Sequence, residues 1–128
     1  MSGFRTIVGF TKFRFTKEGW TRGVEIRGAP ALHLRITLAS PHDPGGDIEA
    51  QLHRLGGPVG GAVALPADGA SHDHTWSNLS PGMYKVALTS ATPLQGHAKT
   101  GTYALSSDAP EADEALASFG GPELEEFE

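Results

Sequence analysis

A chain of 128 residues with no cysteine is one domain's worth of polypeptide, long enough to bury a core without disulfides or thiolate metal staples. Its net charge of −5 opposes binding to nucleic acid, and no segment reaches the roughly 18 continuous apolar residues of a membrane-spanning helix. Glycine and proline recur so often that the longest stretch free of both is Ala70 to Ser80, which excludes long helices and leaves short strands joined by turns.

In chain order, Met1 to Phe10 holds no sustained apolar run, because Arg5 and Gly9 interrupt it. A signal peptide is therefore not expected, and a virion or cytoplasmic location is favoured over a secreted one. Phe13 and Phe15 then alternate with Lys12 and Arg14, and Val24 and Ile26 with Glu25 and Arg27. From Ala31 to Ala39 the alternation is strict: Leu32, Leu34, Ile36 and Leu38 share one face, His33, Arg35 and Thr37 the other. Turn formers fill Ser40 to Gly46, after which Ile48, Ala50 and Leu52 alternate with Glu49, Gln51 and His53, so these two strands are expected to form a hairpin. Ala62 to Leu65 and the Thr75-Trp76 region add short strands. A tight turn is predicted at Pro81-Gly82, with glycine supplying a positive φ, ahead of a strand carrying Tyr84, Val86 and Leu88 on one face. Tyr103 and Leu105 close the series.

The fold expected is all-β, an antiparallel two-sheet β-sandwich of jelly-roll or Ig-like type with about seven or eight strands, spanning residues 1–107. Residues 108–128 differ. They carry Asp108, Glu111, Asp113, Glu114, Glu123, Glu125, Glu126 and Glu128, and no lysine or arginine follows Lys99. They read as an acidic tail, either extended or holding a short helix over Glu111 to Phe119 that Gly120-Gly121-Pro122 would stop. Residues 1–27 have the opposite bias, with Arg5, Lys12, Arg14, Lys17, Arg22 and Arg27 against Glu18 and Glu25. An acidic run is often only a solvated tail. Phe119, Leu124 and Phe127 are more than solubility requires, and among carboxylates they resemble a docking peptide in which charge steers and apolar groups hold. Residues 119–128 are expected to contact a partner chain or the domain's own basic edge around Lys12, Arg14 and Arg27. Deleting residues 108–128 is then expected to leave the melting temperature nearly unchanged while abolishing partner binding or oligomerisation.

His72 and His74 share one face of a strand and are the best metal candidates, with His97, Asp68 or His53 as third ligands. The alternative is two histidines at the polar start of a strand. Asp43 and Asp47 flank Gly45-Gly46 and could offer oxygens to calcium, although aspartate is also common in turns. No cofactor is expected. No Gly-x-Ser-x-Gly, Walker-type or His-Glu-x-x-His pattern occurs, so the chain is not expected to be an enzyme. Lys12, Arg14 and Lys17 interleave with Phe13, Phe15 and Trp20 as a single-strand binder's residues would, but the rings of an alternating strand face the core. Asn78-Leu79-Ser80 matches a glycosylation sequon, with Pro81 directly after it.

Four segments taken together, Leu32 to Leu38, Gly46-Asp47-Ile48, Trp76 to Tyr84 and Tyr103-Ala104-Leu105, resemble the bacterial pre-peptidase C-terminal domain over residues 20–106. The likeness lies in an alternating strand, a Gly-Asp-Ile strand start, an aromatic-x-x-Leu-x-x-Gly-x-Tyr turn and a closing Tyr-x-Leu strand. That resemblance implies a sandwich acting as an accessory or as a carbohydrate- or protein-binding module. The residues themselves point first to an interaction protein docked through its termini onto a protein partner or a homo-oligomeric lattice, for example as a phage virion decoration or minor structural protein.

Overall fold

The structure, a computed structural model, describes residues 5–15, 17–26, 31–38, 48–54, 57–65, 70–90, 99–108, 113–115, 120–121 and 123–127. They form strands β1 (Arg5–Phe15), β2 (Glu18–Trp20), β3 (Gly23–Ile26), β4 (Leu32–Leu38), β5 (Ile48–Arg54), β6 (Gly57–Leu65), β7 (Ser71–Trp76), β8 (Gly82–Ser90), β9 (Lys99–Ser107), β10 (Asp113–Ala115) and β11 (Glu125–Phe127). One sheet runs β11-β1-β9-β4-β7 and the other β10-β3-β8-β5-β6, with β2 alongside β8 next to β3. All paired strands are antiparallel, and the two sheets pack face to face as a β-sandwich. None of the described residues forms a helix long and apolar enough to cross a membrane.

Period-two patterning explains the core. Phe13, Phe15, Val24, Ile26, Leu32, Leu34, Ile36, Ile48, Ala50, Leu52, Tyr84, Val86, Leu88, Tyr103 and Leu105 are all buried in one cluster between the sheets. Phe13 stacks beside Phe15 at 6.0 Å and meets the Tyr103 ring edge-on at 5.9 Å.

Alternation specifies which face of a strand is apolar, not which strand lies beside it, and three expectations are corrected on that account. First, β4 and β5 are not a hairpin: β4 pairs with β7 and β9, while β5 pairs with β6 and β8 in the opposite sheet. Among consecutive strands only β2–β3 and β5–β6 share a sheet, so the chain crosses between layers at nearly every connection. Second, the link from β7 to β8 is such a crossing, not a tight turn. Asn78 takes the left-handed conformation there at φ 57°, Leu79 is buried beneath the link, and the Tyr84 hydroxyl donates to the Ser80 carbonyl at 2.5 Å, bracing the corner. Third, Asp113–Ala115 is strand, not part of a helix. It pairs with Gly23–Glu25 and forms the end strand of that sheet.

Candidate functional site

The acidic segment and the basic first strand meet. Strand β11 lies along β1 with Lys12 opposite Phe127, Phe13 opposite Glu126 and Arg14 opposite Glu125. This is the straight half of β1. The half nearer Arg5 carries two register shifts against β9, between Thr6 and Val8 and between Val8 and Thr11, and such bulges twist an edge away from further pairing. One of these facing pairs, Arg14 with Glu125, sets opposite charges together, which favours this register by roughly 0.2–1 kcal/mol.

Leu124 holds the segment in place. It is only 4% exposed and belongs to the main core cluster. Its seat is Gly19: a Cβ there would overlap the Leu124 side chain and stand 3.0 Å from the Phe15 Cβ. The Leu124 N–H donates to the Trp20 carbonyl at 3.0 Å, and Glu123 bridges Trp20. Leu124, in the segment expected to contact a partner chain or the domain's own basic edge, fills a gap between the sheets of its own domain, and each of the two edges, β1 and β3, has a strand laid on it.

Glu126 is fixed from two directions. Arg22 reaches its Oε1 through Nη2 at 2.6 Å and Nε at 2.8 Å, a charge-assisted fork on one oxygen. The Tyr103 hydroxyl donates to Oε2 at 3.4 Å and accepts from the Arg22 backbone N–H at 3.3 Å. Burial, with Glu126 adding to it, pushes the Tyr103 hydroxyl far above its ordinary range, so it stays protonated and remains a donor. Behind Arg22, buried Thr21 exchanges hydrogen bonds with Val86, N–H to carbonyl at 2.9 Å and hydroxyl from the Val86 N–H at 3.0 Å, which anchors this corner to β8.

Upstream of Leu124 the segment crosses the outer face of the second sheet. A Cβ at Gly120 would stand 2.9 Å from the Trp20 ring, and one at Gly121 2.6 Å from the Trp20 Nε1 and 2.8 Å from a Glu18 carboxylate oxygen. Only glycine allows this approach, and Gly120 also has φ +112°. Trp20 in turn packs on His53 at 4.5 Å, and Lys85 on the same outer face is 4% exposed. Burial pushes the His53 imidazole below its ordinary value, against the pull of Glu18. The sequence marked Trp20 only as an aromatic among basic residues and did not mark Gly19 or Lys85, because each owes its place to a segment a hundred residues or so away or to a neighbouring strand.

The other predicted site residues are dispersed. His72 and His74 lie on the inward face of β7, opposite Ile36 and Leu34, and His74 stands edge-on to Trp76 at 4.7 Å. No group of three histidine, aspartate or glutamate side chains suited to a metal gathers among the described residues. Asp43, Asp47, Asp68 and His97 lie outside the described residues, as do Arg27 and Phe119; Phe127 is placed by its backbone register alone. On the outward face of β4 and β7, Arg35 pairs with Asp73 at 2.8 Å, His33 approaches the same carboxylate at 3.4 Å and meets Thr75 at 2.7 Å, and Thr37 meets Ser71 at 2.7 Å. The Arg35 guanidinium holds the Asp73 carboxyl below the usual carboxylate range. Compared with protein-family models and with curated proteins, the chain matches none.

Proposed function

We propose that the protein is a non-catalytic β-sandwich interaction protein that joins a larger assembly through its chain ends, such as the shell of a phage virion on which it would sit as a decoration or minor structural protein. One observation carries the reading: the acidic C-terminal strand lies on the basic edge strand β1, at Lys12–Arg14, so the two electrically opposed ends of the chain form one recognition element. An edge strand with matched charge is the standard means by which a sheet takes up a partner segment. Two further facts support it. The Arg35–Asp73 pair ties β4 to β7, and the Arg22–Glu126 pair ties the link between β2 and β3 to β11. The described aromatic rings are buried or, for Trp20, pressed between His53 and the glycine segment, whereas a carbohydrate-binding module would present rings to solvent.

The test is site-specific photo-cross-linking of the full chain in its own host. A photoreactive residue in place of Lys12 is expected to give discrete covalent adducts, and one in place of Thr75 on β7 is not. Adducts at neither position, or equally at both, would refute an assembly role centred on β1.

A further inference from the structure

We propose that the occupant of the β1 edge in the assembled state is the C-terminal strand of a second copy of this chain, exchanged reciprocally so that each copy's Glu123–Phe127 seats on the other's Lys12–Arg14. This rests on the assembly reading and names its partner.

The argument begins with fit. The edge is matched to this strand position by position: Gly19 leaves room for Leu124, Arg22 and Tyr103 take Glu126, and Arg14 faces Glu125. A copy of the chain is the one partner certain to carry all of these features. Each copy bears both the strand and its seat, which makes the contact self-complementary and lets two copies close about a two-fold axis.

Exchange also preserves what holds the strand. Leu124 leaves one seat for an identical one, and the Arg22–Glu126 pair breaks in one copy to form in the other. Strands β1 to β9 keep their mutual pairing throughout, so the sandwich need not open. Gly120 is where the segment can be re-aimed, since glycine takes positive and negative φ with comparable ease. With the contacts conserved, local concentration decides between the closed monomer and the exchanged pair, and an assembly lattice supplies that concentration.

The β6 edge is poorly suited to take up a strand. On β6, Pro58 has no N–H to offer, two extra residues bulge between Val59 and Val63 opposite Leu52 and Ala50, and Gln51 Nε2 binds the carbonyls of Val59 and Gly60 at 3.1 Å each. The straight half of β1 is the pairing surface that already accepts a strand.

The chain has no cysteine among its residues, so a thiol pair can be introduced without competition. Arg14 and Glu125 are Cα partners across the β1–β11 pair, a spacing a disulfide can span. The full-length double variant Arg14→Cys with Glu125→Cys is expected to cross-link, which checks the register; failure to do so overturns the proposal. The decisive step mixes two full-length single variants, Arg14→Cys and Glu125→Cys, concentrates them and oxidises them. A disulfide joining the unlike chains, in excess of the two like-chain dimers combined and lost when Leu124→Asp is added to the second variant, is the expected result. Mixed dimer at no more than the random-pairing yield overturns exchange. If Lys12 photo-adducts persist in that case, the assembly reading stands with a different partner; if they are absent too, both fall.

Discussion

The two open sides of this sandwich are closed by different means. On one side β1 and β3 end their sheets, and the acidic segment lays β11 on the first and β10 on the second while Leu124 fills the gap between them. On the other side β6 and β7 end the same two sheets with nothing laid over them among the described residues. There the β6 edge is blunted from within, by Pro58 and by the bulge after Val59, while the His33–Thr75 and Thr37–Ser71 contacts tie β7 to β4. A covered edge holds its neighbour by contacts that a partner could reproduce, whereas a blunted edge repels strands of every origin. The covered side is thus the one suited to exchange, and the blunted side the one suited to face solvent.

The largest effect that separates them is at Leu124. Leu124→Ala should cost about 2–5 kcal/mol in denaturant unfolding, as removal of a buried leucine does. Val63→Ala on β6, where the side chain is partly exposed, should cost clearly less. Equal losses would mean that the segment does not close the sandwich. Next comes Gln51→Ala. The carboxamide nitrogen binds the carbonyls of Leu52, Val59 and Gly60, each at 3.1 Å, with two hydrogens shared among three acceptors. Its loss should cost about 1–2 kcal/mol and speed amide exchange along β6 with little change along β1. Uniform exchange would show that Gln51 does not brace the bulge.

The same contrast divides what could be read in advance. Inward faces were legible: Leu32-Leu34-Ile36 and Ile48-Ala50-Leu52 each lie where strict alternation puts them, because burial of one face is a local property. That the basic strand and the acidic end could meet was legible from charge. Partner choice was not, and hence a supposed hairpin became two strands in opposite sheets. Leu124 reads as a lone leucine among glutamates, and its burial depends on Gly19 lacking a side chain about a hundred residues earlier. Lys85 stands at an outward position of β8, where alternation predicts solvent; it is buried, with Gly120 of the acidic segment close against its side chain.

A smaller effect is expected at the Arg22–Glu126 pair. Both side chains keep access to water, 49% and 22%, so Glu126→Gln should cost about 0.2–1 kcal/mol and lose most of its effect in high salt. The reading sharpens if the mixed-disulfide yield falls more than stability does, since charge then steers the strand to its seat more than it holds the fold.

The smallest effect concerns His53 and decides what Trp20 does on the covered side. Two influences compete at this imidazole. An indole 4.5 Å away attracts a cation and would favour protonation, as would Glu18, whereas burial against the same ring disfavours it. Burial prevails, so the folded protein holds His53 below the ordinary value of 6.5. The unfolded chain then binds more protons between the folded value and 6.5, so stability is full above that window and declines as pH falls through it. His53→Gln should flatten this part of the stability profile, leaving the loss from Asp73 at lower pH. Trp20→Ala admits water to the ring, and an NMR titration should show His53 moving up towards 6.5. Movement further down would mean that attraction to the indole had been the larger influence, and that Trp20 supports a charge on this face instead of excluding water from it.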